Sequence, residues 1–227
     1  MRATLQTCIL IAVAVGVAPL YAGTAAERLT ESATVISEMM SAPDKGIPQD
    51  LLADAHCVVV LPGVKKAAFI LGGNYGRGFV VCRQSANVGW GAPAAVRMEG
   101  GSIGWQIGGS EIDVVMLVMD RRGMERLLGS KFTLGAGAEV AAGPVGRSTS
   151  AQTDARFTAK ILTYSRSRGV FAGLSLGGAT LRQDLDQNRE IYGRPLRNKQ
   201  IVLTGLKPPA EASRLLSVLN RYSQHES

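Results

Sequence analysis

Residues 25–42 place Ala26, Leu29, Ala33, Ile36 and Met40 at alternating spacings of three and four, with Glu27, Arg28, Glu31, Ser37 and Glu38 elsewhere on the wheel. That period predicts an amphipathic helix. Its polar face carries three glutamates against one arginine, the wrong sign for a helix lying on anionic lipid, so its expected role is core packing. A short helix is predicted over 50–55, because Pro48 is well tolerated in a first helical turn. From His56 to about Val145 the pattern changes to short apolar segments separated by glycine, with strand candidates at 57–61, 67–71, 78–83, 103–107 and 113–119. The helical period returns over 122–128, then strand-like segments occupy 132–134, 138–142, 159–165 and 169–176, and helices are expected over 183–192 and 208–222. The predicted class is α+β: a glycine-rich antiparallel sheet, barrel- or sandwich-like, with an N-terminal amphipathic helix and C-terminal helices.

The opening residues follow another pattern. Arg2 precedes an apolar stretch over 8–18, then Pro19 and the small residues Ala22, Gly23, Ala25 and Ala26. This order predicts a cleavable signal peptide, placed at residues 1–22. The apolar stretch is about half the roughly 20 residues that a membrane-crossing helix needs. A lipid-modified start would need a cysteine after the apolar core, whereas Cys8 stands at its beginning. The expected product is a periplasmic or secreted protein whose residues 25–227 form one domain, since no low-complexity linker divides them.

Composition adds limits. Glycine is nearly twice as frequent as usual, at 27 of 227 residues, and most lie in the sheet region, where they permit turns, bulges and close backbone approach. The formal charge of +7 falls to +6 when Arg2 leaves with the leader, a basic excess that suits an anionic surface. Nucleic acid is not expected, because the five Phe, five Tyr and two Trp are not interleaved with the basic residues. Cys57 and Cys82 each lie in or beside a strand candidate; an oxidising compartment lets them pair if those strands are neighbours, and otherwise they are buried thiols.

Few motifs suggest chemistry. Gly173-Leu174-Ser175-Leu176-Gly177 fits the G-x-S-x-G elbow, and Asp184 or Asp186 followed by His225 supplies the chain order of a serine hydrolase. Without regular βαβ alternation around Ser175, and with His225 the third residue from the end, catalysis is the remotest reading. Asp184-x-Asp186-x-Asn188 opens like a calcium loop, but Arg189 and Pro195 stand where glycine and glutamate are needed, so a turn and helix cap is expected. No metal site, nucleotide site or cofactor is predicted. The basic residues at turn tips are the better candidates: Arg166 and Arg168 at a hairpin tip, with Lys65, Lys66 and Arg147 after glycine-containing turns, can present donors to phosphate.

Together, Ile103-Gly104-Trp105-Gln106-Ile107-Gly108, Ala141-Ala142-Gly143-Pro144-Val145-Gly146-Arg147 and the run Tyr164-Ser165-Arg166-Ser167-Arg168-Gly169-Val170-Phe171-Ala172-Gly173-Leu174-Ser175-Leu176 resemble the SYLF domain family, also called the Ysc84 actin-binding domain family. Leu61-Pro62-Gly63-Val64-Lys65-Lys66-Ala67, Leu71-Gly72-Gly73, Gly89-Trp90, Asn188 and Tyr192-Gly193 extend the likeness over about residues 30–205. The resemblance implies a non-enzymatic lipid-binding module in which Ser175 belongs to a signature strand. Eukaryotic members bind phosphoinositides and associate with actin, whereas the bacterial members, which the leader fits, are typically exported envelope proteins. The chain departs from the family in its acidic N-terminal helix and in Gly177, where many members carry glutamate. The expected function is recognition of anionic phospholipid headgroups at an envelope membrane by Arg166, Arg168, Arg147, Lys65 and Lys66. A structural or envelope-protein-binding role is the alternative, and export argues against actin as a partner.

Overall fold

A computed structural model of the chain describes residues 23–42, 46–85, 88–135, 140–144, 160–167, 170–173 and 178–224. The predicted leader over 1–22 lies outside them.

Helix α1, Ala25–Ser41, starts at a capping box in which Thr24 Oγ1 accepts from the Glu27 N–H and Glu27 Oε2 accepts from the Thr24 N–H. Such reciprocal bonds satisfy two backbone donors that a helix start otherwise leaves open. Its buried stripe is Ala25, Leu29, Ser32, Ala33, Val35, Ile36 and Met39. The expected Ala26 faces out and Met40 is only half-buried, because the stripe drifts round the helix. Helix α2 (Gln49–Asp54) then leads into β1, Cys57–Ser85, which pairs antiparallel with both β2 (Val88–Trp90) and β3 (Ala94–Val118).

After β3 come α3 (Arg121–Leu127), β4 (Lys131–Thr133), β5 (Val140–Ala142), β6 (Ile161–Ser167), β7 (Val170–Gly173) and β8 (Thr180–Gln183). The chain closes with α4 (Leu185–Tyr192), α5 (Asn198–Leu203), a 3₁₀ turn over Ala210–Ala212 and α6 (Ser213–Tyr222). The eight described strands form one sheet in which β2-β1-β3-β6-β5 is the main path, β7 pairs with β6, and β8 joins β3 to β4. All pairings are antiparallel except that of β5 with β6. The architecture is α+β, as the pattern predicts. No helix among the described residues is long and apolar enough to cross a membrane.

The sheet is buried on both faces, which is why its strands read as continuous apolar runs instead of alternating ones. Val58, Val60, Phe79, Val81, Val115 and Leu117 pack against α1, α2 and α6. The intervening Cys57, Val59, Leu61, Val80, Val114, Met116 and Val118 pack with Leu127, Phe132, Leu134 and Leu181 on the other side.

Three predicted strands, 57–61, 67–71 and 78–83, are one strand in the structure, and so are 103–107 and 113–119. Apart from Gly63, which sits at a bulge, the glycines between them are extended residues of bent strands, not turns. Bending brings the two limbs of β1 together: the Arg83 N–H donates to the His56 carbonyl at 2.9 Å. A Cβ on Gly78 would stand 1.9 Å from the Val60 oxygen, and one on Gly76 would stand 2.7 Å from Val64 Cγ2. Glycine is required wherever backbones approach this closely. At one end of this fold-back Cys57 and Cys82 form a disulfide, with Cα atoms 4.0 Å apart. The bridge thus joins two limbs of a single strand.

Candidate functional site

At the other end of the fold-back the limbs separate. Pro62 and Gly63 interrupt the β1–β3 register between Leu61 and Val64, and Gly63 adopts a φ of +57°, a left-handed conformation that favours glycine. The Gly63 N–H donates to Asp113 Oδ1 at 3.0 Å. Beyond this bulge Lys65 projects from one limb, while Tyr75 and Arg77 stand on the other, drawn close by the contact between Val64 and Gly76. Glu111 lies directly opposite Lys65 on β3. The start of α1 supplies Arg28 and Glu31 as a further wall, and the space enclosed is a cleft of about 530 Å³.

The charges in this cleft are held differently. Arg77 Nε is 2.7 Å from the Tyr75 hydroxyl and 3.2 Å from Oδ2 of the fully buried Asp184. Burial works against the Arg77 charge, but Asp184 and Tyr75 outweigh it and hold the guanidinium above its ordinary value. Arg28 Nη1 is buried with no hydrogen-bond partner among the described residues. Lys65, Glu31 and Glu111 are exposed, and none has a hydrogen-bond or ion-pair partner among the described residues. Tyr75, 46% exposed, is the most exposed aromatic described.

Arg166 is placed otherwise. On β6, its Nε and Nη2 lie 3.0 and 2.5 Å from Asp113 Oδ2, and Nη1 bonds to Glu38 of α1. Burial disfavours both charges, pushing Asp113 up and Arg166 down from their ordinary values. Their mutual attraction opposes this. A headgroup could reach this guanidinium only by displacing two carboxylates. It stands behind the cleft wall, linked to it through Asp113 and Gly63.

Of the other predicted ligands, Arg147 and Arg168 lie outside the described residues, and of Lys66 only the backbone, opposite Ser110, is described. The structure therefore brings Lys65 together with Arg28, Arg77 and Glu111, which the sequence reading did not single out. Arg77 carried a usable signal, standing between Gly76 and Gly78 in a glycine-rich stretch like those before the chosen tips. Arg28 and Glu111 carried none, since only the packing of α1 and β3 brings them there.

The hydrolase constellation has no described geometry, because Ser175 and His225 lie outside the described residues. Asp184, its candidate acid, caps α4 by accepting from the Gln187 N–H at 3.2 Å, the role expected of it as a turn and cap.

Residues 99–222 match the Ysc84 family, described as Las17-binding protein actin regulators. The chain is 34% identical over 201 residues to the SH3 domain-containing YSC84-like protein 1 of Homo sapiens and to that of Mus musculus, covering 88% of this chain and 58% of each relative. It is 33% identical over 181 residues to LAS seventeen-binding protein 3 of Saccharomyces cerevisiae, covering 78% of this chain and 39% of that protein. The chain thus spans little more than half, or less, of these relatives' lengths. The family description speaks of Las17 binding and actin regulation and the yeast relative's name of Las17 binding, so neither supports actin as an unlikely partner.

Proposed function

We propose, for a chain that belongs to the Ysc84 family, that it is a binding protein and not an enzyme, and that it docks on phospholipid membranes through the cleft at the open end of β1. The observation that carries this reading is Lys65, exposed and without a partner among the described residues, beside Arg28 and Arg77 in one cleft of about 530 Å³. A cation held ready in this way attracts phosphate without first breaking an internal bond. The formal charge, +7 for the full chain and +6 without Arg2 of the predicted leader, draws the protein toward an anionic surface, and the half-exposed Tyr75 suits the boundary between headgroups and water. With the predicted leader, the setting is periplasmic or secreted, peripheral at an envelope membrane.

Co-sedimentation of the protein with phosphatidylglycerol and phosphatidylcholine vesicles at low salt tests this. Preferential recovery with the anionic vesicles, weakened in Lys65→Glu, is expected; equal recovery on both, or no effect of the substitution, sinks the site. The relatives' descriptions favour a second reading, a protein partner. Partner capture that survives Lys65→Glu, with no vesicle binding by the parent, would favour it.

A further inference from the structure

A site for phosphate alone has no use for carboxylates, since each repels the anion. The cleft nevertheless contains two, Glu31 and Glu111, both exposed and neither paired with a neighbouring cation. Glu111 is the residue directly across the ladder from Lys65. Residues so placed have Cβ atoms about 5 Å apart and share one face. No ion pair joins these two. Gly63 makes room for the acid, because a Cβ there would stand 2.7 Å from Glu111 Oε1. Two cations, Lys65 and Arg28, and two anions, Glu111 and Glu31, thus line one opening with unsatisfied bonding capacity.

Such a set is complementary to a ligand that carries both charges itself, a short bridge apart. We infer that the cleft recognises a phosphoethanolamine headgroup, with phosphate toward Lys65 and Arg28 and the primary ammonium toward Glu111 and Glu31. The inference rests on the reading of this cleft as the membrane-facing site. An ammonium offers three N–H donors to the carboxylates, whereas the trimethylated nitrogen of choline offers none, so the acids select ethanolamine over choline. A glycerol headgroup leaves both carboxylates unpaired. The volume lies within the usual range for small-ligand sites and accommodates the headgroup. Long-range attraction by the net charge and short-range choice by the cleft are then separate properties.

The experiment compares vesicles with a fixed fraction of phosphatidylglycerol, the remainder being phosphatidylethanolamine in one set and phosphatidylcholine in the other. Binding is expected to be about five- to tenfold tighter with phosphatidylethanolamine. Free phosphoethanolamine should compete and phosphocholine should not. In Glu111→Gln, checked for folding by circular dichroism, the preference should disappear while binding to phosphatidylglycerol is kept or strengthened. Equal binding to the two sets, equal competition by both free headgroups, or a preference that survives in Glu111→Gln would overturn the inference while leaving the membrane reading intact. Absence of vesicle binding in every composition would overturn the membrane reading, and binding of free phosphoethanolamine in that case would assign the cleft to a soluble ligand and overturn the lipid as its source.

Discussion

At one end of the β1 fold-back the limbs are joined by Cys57 and Cys82 among the buried side chains of Val59, Leu61 and Val80; at the other the same limbs part around Lys65, Tyr75 and Arg77. Both ends depend on glycine for opposite reasons. Gly78 lets backbone meet backbone, whereas Gly63 turns the chain so that Glu111 can lie beside it. Charge is also handled differently on the two sides of the Gly63 bulge. Arg166, behind it, is bonded to Asp113 and Glu38, and Lys65, in front of it, is bonded to nothing described. Counting basic residues would rank the two alike. Their surroundings separate a cation that holds the fold together from one free to meet a ligand.

The largest test of the sealed end is Gly78→Ala. The added Cβ would meet the Val60 carbonyl oxygen at 1.9 Å and Leu61 Cα at 2.9 Å, and both are backbone atoms that cannot rotate away. A loss of at least about 3 kcal/mol in urea unfolding is expected. A change under about 1 kcal/mol would mean that the limbs do not meet there. Opening the disulfide by a Cys57→Ser, Cys82→Ser double substitution comes close behind. Closing a loop of 25 residues stabilises by about 3 to 4 kcal/mol in the chain-entropy account. Vesicle binding per folded molecule should be unchanged, because the bridge lies at the far end from the cleft, and weakened binding would show that the two ends are coupled.

The sequence revealed the sealed end better than the open one. Runs such as 57–61 and 113–119 are legible because burial on both faces makes every position apolar, and the stripe of α1 is legible because only one side is buried. The continuity of β1 was hidden, since glycine in a bent strand and glycine in a turn look alike in sequence. Strand β8 and helix α5 were missed for another reason. Helix α5 is anchored by buried polar contacts, with Asn188 Nδ2 2.9 Å from Asn198 Oδ1 and Asn198 Nδ2 3.1 Å from the Ala95 oxygen, and such contacts leave no hydrophobic period. In the cleft, Lys65 could be anticipated from its glycine-containing turn. Its neighbours Arg28 and Glu111 come from elements 37 residues before it and 46 after it, and only the folded chain assembles them.

Two substitutions of similar chemistry separate the roles on either side of the bulge. Arg166→Gln leaves Asp113, only 19% exposed, without its cation, and a loss of about 2 kcal/mol is expected in unfolding, with vesicle binding of the folded protein within about twofold of the parent. Lys65→Gln should do the reverse. Its side chain is exposed and unpaired, so stability should stay within about 0.5 kcal/mol. A lysine near an anionic surface contributes about 1 kcal/mol, so partition onto phosphatidylglycerol vesicles should fall about fivefold, and the difference should shrink as salt screens the surface. If Arg166→Gln lowers vesicle binding more than Lys65→Gln does at equal folding, the division between the structural and the available cation is wrong, and the headgroup would have to reach the guanidinium by displacing Asp113 and Glu38.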